Sequence, residues 1–187
     1  DPRRTATCDL ADLHLAIAPG ADAFVFNGLL AYMQQGGHLN TDYIAQHTQG
    51  FDAAIAKAEA LSPAELAQAT ALTTQELHTF YQWFCETEKT ISFYSMGINQ
   101  SATGTDKCNA IINCHLATGR IGKVGMGPFS MTGQPNAMGG REVGGLANML
   151  AAHMDYNTEN IATVSEFWQT DSLSQKPGLK AVDLFDA

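Results

Sequence analysis

Basic residues are scarce in this chain of 187: ten lysines and arginines stand against nineteen aspartates and glutamates, for a net charge of -9. Such a surface repels polyanions, so neither nucleic acid nor an anionic membrane is expected as a partner, and the acidity reads as solubility. Long apolar runs are missing too; none approaches the roughly 18 residues of a membrane span, and no span is expected. The four cysteines, Cys8, Cys85, Cys108 and Cys114, form no CxxC pair, so reduced thiols rather than disulfides are expected. Cys108 and Cys114 are six apart, which on a helix separates them by about 240° around the axis and keeps them from sharing a metal. The six histidines form neither HxxxH nor HxH, so no metal site built from this chain alone is expected. The opening residues, DPRRT, look like neither a signal peptide nor an initiation site, and the chain reads as starting mid-protein.

What is abundant is glycine, in one place. The stretch from Gly119 to Gly145 holds nine of the seventeen glycines. A long irregular segment inside a compact domain is usually functional or disordered, and Met126, Phe129, Met131, Met138 and Val143 are too apolar for a solvated linker. Gln134, Asn136 and Arg141 add donors suited to anions and heterocycle edges. The segment reads as a cofactor-lining loop; the alternative is a connector that only turns the chain between helices. Arg120 and Lys123 form a basic mouth to it, and Gly127-Pro128 and Gly133-Gln134 are turn signals.

The rest of the chain, 45% hydrophobic overall, carries enough apolar residues for a sizeable core. Asp1 to Thr5 reads as the exit of a strand lying upstream, with Pro2 forcing extended geometry and Arg3 and Arg4 offering cationic forks or forming a solvated pair. Leu13 to Ala18 alternates as a short strand ended by Pro19-Gly20. Asp22 has two compatible readings, as a cap at the start of the helix Ala23 to Gln35 and as an acceptor for a ligand edge. That helix is apolar on most sides, its Met and Phe residues read as core, and Gly36-Gly37 stops it. Short helices are expected over 40–47 and 50–60. Ser62 with Glu65, and Thr73 with Glu76, are capping boxes for two scaffold helices. Phe80, Tyr81, Trp83 and Phe84 lie consecutively around the second of these and read as core packing rather than a stacking platform. Thr90 to Ser95 reads as a buried central strand with Met96 to Gln100 at its carboxyl end, where open α/β sheets present residues to ligands. A helix follows from Gly104 to Gly119, packing Ala110, Ile111, Cys114 and Leu116 inward. Helices are expected over 143–154, after the Asn157-Thr158 cap, and over 179–185.

Three motifs taken together, YSMGINQ, TGRIGKVGMGPFS and TGQPNAMGGREVGG, resemble the molybdopterin oxidoreductase family, in particular its assimilatory nitrate reductase branch. The resemblance runs the whole chain and implies that residues 1–187 are a single internal fragment of a protein several times longer. The implied fold is an α-rich α/β fragment of the formate dehydrogenase/DMSO reductase type, an internal molybdopterin-guanine-dinucleotide-binding domain with few short strands. Its expected parts are a nucleotide-binding α/β portion (1–118), a cofactor and active-site loop (119–145) and a helical portion (146–187). The implied cofactor is molybdenum-bis(molybdopterin guanine dinucleotide), with contacts from Asp1, Pro2, Arg3, Arg4 and Thr5, from Gly20, Ala21 and Asp22, and from Met96 and Gln100.

Met96, Gln134 and Arg141 are implied to face the substrate side of the molybdenum; the competing readings are a strand-end core residue for Met96 and an ion pair with Glu142 for Arg141. The spacing from Gln134 to Arg141 is one residue shorter than in periplasmic enzymes, which fits the assimilatory branch. A 4Fe–4S cluster, the thiolate on molybdenum and a carboxyl-terminal domain clasping the pterins belong to missing domains of the same polypeptide. The implied reaction reduces nitrate to nitrite by oxygen-atom transfer, with an electron donor protein or domain, in the cytoplasm or, as the alternative, the periplasm. The isolated fragment is expected to be inactive. Two other readings stand: a formate dehydrogenase, which would place a histidine in the 134–141 loop where none occurs, and a non-catalytic nucleotide-binding module.

Overall fold

In the computed structural model, which describes the backbone of residues 1–187 and every side chain except that of residue 181, the chain forms two compact units, Asp1–Met131 and Thr132–Ala187. The border falls inside the glycine-dense stretch.

The first unit is built on α1 (Asp22–Gly36), whose Leu29, Leu30 and Met33 are almost wholly buried. Gly37 ends it in the left-handed conformation at φ 71°. Ile44 of α2 (Thr41–His47) joins the same core, and α3 (Phe51–Ala58), α4 (Pro63–Thr70) and α5 (Thr74–Glu86) pack against α1. Both capping boxes form: Ser62 and Thr73 accept from the backbones of Glu65 and Glu76, whose carboxylates reach back to the cap N–H groups. Aromatic packing on α5 is partial, with Tyr81 and Phe84 buried but Trp83 43% exposed. Phe24 on α1 is likewise half-exposed, so not every Phe of that helix is core. The Tyr81 hydroxyl is buried against Gly28 without a hydrogen-bond partner.

After α5 comes a small βαβ arrangement: β1 (Ile91–Tyr94), the single turn α6 (Met96–Asn99), α7 (Gly104–Ala117) and β2 (Gly127–Ser130). The strands pair in parallel, Ile91 opposite Gly127 through Tyr94 opposite Ser130. The helix α7 presents Ala110, Ile111 and Cys114 to the core, as its periodicity predicts, although Leu116 is only partly covered. It also buries Lys107 and His115.

Four local expectations change. β1 forms where the β-branched run lies, but it is not buried: Ile91 and Phe93 are 44% and 63% exposed. Parallel strands are normally covered on both faces; here helices cover only the side of Ser92, whose hydroxyl meets the His115 ring at 2.8 Å. Leu13 to Ala18 forms no strand, because no neighbouring chain offers a ladder there among the described residues; instead Ala18 N–H donates to the Thr70 carbonyl at 2.8 Å. The glycine-dense stretch is not wholly irregular, since it contains β2 and α8 (Ala137–Glu142). Residues 143–154 are not a helix. Gly144 adopts φ 74° with Ala151 N only 2.8 Å from where a Cβ would stand, which ends α8, and only a 3₁₀ turn at Ala151–His153 follows.

In the second unit α9 (Thr158–Trp168) starts at Asn157, whose side chain accepts from Asn160 N at 2.9 Å, and it buries Ile161 and Val164 with Leu150. The last helix, α10 (Ala181–Asp186), lies where the sequence places it.

Candidate cofactor-contact site

The amino-terminal segment is folded back on itself. The Asp1 carboxylate accepts from Arg3 N–H at 2.9 Å, and the His14 ring N–H donates to the Asp1 carbonyl at 2.8 Å. Pro2 is exposed, and Thr5 anchors the 3₁₀ turn at Cys8–Leu10 by accepting from Cys8 N at 2.9 Å. The two arginines part company. Arg4 forms an exposed ion pair with Asp9 at 2.9 Å, whereas Arg3 is exposed and has no ion pair among the described residues. One guanidinium is thus free to receive an anion, and the other is held only by a weak surface pair.

The turn before α1 places the second group. Gly20 adopts φ 88°, Ala21 is the N-cap without a side-chain bond, and Asp22 is the first helical residue. Asp22 therefore does not cap α1. Its carboxylate lies 2.9 Å from the Lys107 ammonium, with the lysine side chain 5% and the aspartate side chain 20% exposed.

The third group follows β1. Met96 is 48% exposed and lies outside the core of this unit. The Met96–Asn99 turn is held from both ends: Ser95 Oγ donates to the Met131 carbonyl at 2.8 Å, and Asn99 Nδ2 donates to Ser130 Oγ at 3.3 Å. Gly104 closes it from below, since a Cβ there would lie 2.6 Å from the Asn99 carbonyl oxygen. Gln100 is exposed, with no side-chain hydrogen bond among the described residues.

These segments share one feature of the first unit. A cleft of about 730 Å³ is bounded by Asp1, His14, Asp22, Trp83, Tyr94 and Ile98 among others, so each segment contributes at least one wall residue. Its volume lies within the range of small-molecule sites. Three aspartates on its walls, Asp1, Asp12 and Asp22, suit an N–H-rich heterocycle edge.

Gln134 and Arg141 belong to the second unit and are both exposed, Arg141 on α8. The pairing of Arg141 with Glu142, its competing reading, does not form. Glu142 takes His153 instead, at 2.9 Å, leaving the Arg141 guanidinium without an ion pair among the described residues.

Arg120 is also corrected. Rather than standing at the mouth of a loop it is 6% exposed, donates to the carbonyls of Phe84 at 2.8 Å and Thr87 at 2.7 Å, and lies 4.5 Å over the Phe84 ring. It clamps the carboxyl end of α5, where orphan carbonyls need donors.

For metal chemistry, no group of three or more His, Cys, Asp or Glu gathers among the described residues. Burial raises the Cys85 thiol to about 11 and Cys114 further still, keeping both protonated and poor ligands.

Sequence reading missed Lys107, yet a signal was present. Lys107 falls in register with Ala110, Ile111 and Cys114, a lone charge on the apolar stripe of α7.

The family model described as molybdopterin oxidoreductase matches residues 1–187. The chain belongs to the molybdopterin oxidoreductase family. It is 50% identical over 187 residues to a nitrate reductase of Klebsiella oxytoca and 49% identical over 189 residues to one of Shewanella frigidimarina. The alignments cover all of this chain but 21% and 20% of those proteins, so the chain spans about a fifth of the length of these family members. Among solved structures, acetylene hydratase from Pelobacter acetylenicus aligns with TM-score 0.54 over 67% of this chain and 17% of that one, at 22% identity. The fold is thus the helix-rich, strand-poor arrangement of the DMSO reductase type.

Proposed function

We propose that this chain is the part of a nitrate-reducing molybdenum enzyme that grips the guanine nucleotide of the cofactor and supplies side chains on the nitrate side. The observation that carries this reading is the 50% identity to a nitrate reductase across the whole chain. When bound, the molybdenum cofactor supplies two-electron oxygen-atom transfer, which turns nitrate, two electrons and two protons into nitrite and water.

The residues of the first unit fit such a group. Asp22 has one oxygen engaged by Lys107 and one left to accept from the N–H edge of guanine, while Arg3, exposed and without an ion pair among the described residues, can neutralise a phosphate. Gln100 offers both an acceptor and donors to the pterin. In the second unit Arg141 keeps a permanent charge and a planar fork, suited to orienting a planar oxyanion, and Gln134 offers an amide to the same substrate. The 4Fe–4S cluster, the ligands of the metal and the site of electron entry are assigned to other parts of the polypeptide. The branch is read as the assimilatory, cytoplasmic one.

The test is an anaerobic assay of the purified full-length protein with a reduced dye. Nitrite appearing at one per two electrons consumed supports the proposal. Formate oxidation without nitrate turnover would place the protein among the formate dehydrogenases instead.

A further inference from the structure

Lys107 is a buried ammonium with two partners on different segments. Its Nζ lies 2.9 Å from Asp22 Oδ2 at the start of α1 and donates to the Gly97 carbonyl in α6 at 3.5 Å. Both segments wall the same cleft, through Asp22 and through Ile98 beside Gly97. One side chain, 5% exposed and rooted in the core helix α7, therefore ties together two segments otherwise far apart in sequence.

Stability alone is a poor reason for such an arrangement. Taking an ammonium and a carboxylate out of water costs about as much as their attraction returns, and apolar replacements of buried pairs are often neutral. What the pair does provide is direction. An aspartate as the first residue of a helix, with no capping bond of its own, would otherwise sample several rotamers. With Oδ2 held by Lys107, the other oxygen is fixed relative to the backbone of the Met96–Asn99 turn.

We propose that Lys107 is a positioning residue for the cofactor: it orients the Asp22 carboxylate toward the guanine edge and locks the Met96–Gln100 turn to it, so that the two contacts bind as one preorganised unit. The proposal rests on the reading of Asp22 as a nucleotide contact. Lys107 itself touches no cofactor atom; its effect passes through Asp22 and Gly97, which lowers the cost of ordering them on binding.

The test uses full-length protein carrying Lys107→Met, Lys107→Arg, Asp22→Asn or the Lys107→Met/Asp22→Asn pair. Two readouts are followed: the rate at which molybdenum and guanine nucleotide are lost on prolonged dialysis, and the melting temperature of the cofactor-free protein. Lys107→Met is expected to speed loss at least tenfold while the cofactor-free melting temperature stays within a few degrees of the parent. The double variant is expected to be no worse than the poorer single one, because both changes break one connection. Lys107→Arg, which keeps the charge, should recover most of the retention. Unchanged retention in Lys107→Met overturns the proposal, as does a fall in cofactor-free melting temperature that Lys107→Arg shares, since that marks a purely structural lysine. If Lys107→Met is neutral while Asp22→Asn loses cofactor, the positioning role alone fails. If Asp22→Asn is neutral as well, the nucleotide-contact reading beneath it fails too.

Discussion

His115 is fully buried between β1 and α5, with one ring nitrogen on Ser92 Oγ at 2.8 Å, the other without a partner, and the Phe84 ring 5.3 Å away. Burial first, and the Arg120 charge second, lower its pKa to about 4. The unfolded chain takes up the proton near the ordinary value of 6.5 and the folded chain does not until about 4, so stability drains away as pH falls through that window. The loss reaches roughly 3 kcal/mol at its lower limit. Melting temperatures measured from pH 7 to pH 4 should fall, and His115→Gln should flatten that dependence even if it lowers the pH 7 value. Arg120→Met should cost about 1–3 kcal/mol by chemical denaturation, because the buried Phe84 carbonyl and the partly buried Thr87 carbonyl lose their donor. Tyr81→Phe should be neutral or stabilising by up to about 1 kcal/mol, since the hydroxyl it removes is buried and unpaired. For the proposed chemistry, Arg141→Lys in the full-length enzyme should lose much of its nitrate turnover with molybdenum content near normal; Glu142→Gln should be milder, because Glu142 pairs with His153 rather than with Arg141. At this scale the sequence was hardest to read: Arg120 looked like a loop cation and is a helix clamp, because only the fold places the α5 carboxyl end beside it.

Elements were far more legible, and for local reasons. Both capping boxes, the Asn157 cap and the glycine stop after α1 follow from residues within four positions of the helix end, so the signal is complete in the sequence. Asn157→Ala should accordingly cost about 1 kcal/mol by thermal unfolding. Elements that need a distant partner were misread. Leu13 to Ala18 has strand periodicity but no ladder, and Val143 to Met154 has helix formers interrupted by Gly144 and Gly145. The strand β1 was placed correctly, but its burial depends on what covers Ile91 and Phe93, which no local pattern reports. Gly28 gives the packing counterpart: an added Cβ would collide with Leu66 and the Tyr81 hydroxyl, and Gly28→Ala should destabilise by about 1–3 kcal/mol in the same measurement.

For the whole molecule, the motif order carried the family and the fold class, since the match extends over all 187 residues. The division into Asp1–Met131 and Thr132–Ala187 was not legible, because it runs through the glycine-dense stretch that composition alone reads as one loop. The division also sorts the proposed roles: the nucleotide contacts Asp1 to Thr5, Gly20 to Asp22 and Met96 to Gln100 lie in the first unit, and Gln134 and Arg141 lie in the second. The central claim is that the three segments of the first unit grip one ligand. Hydrogen exchange on the full-length protein, with cofactor loaded and with cofactor absent, tests it most directly. The account predicts slower exchange in the loaded protein at 1–5, 20–22 and 96–100 together, with α3 and α4 unchanged. Equal exchange at those three segments in the two forms would contradict it.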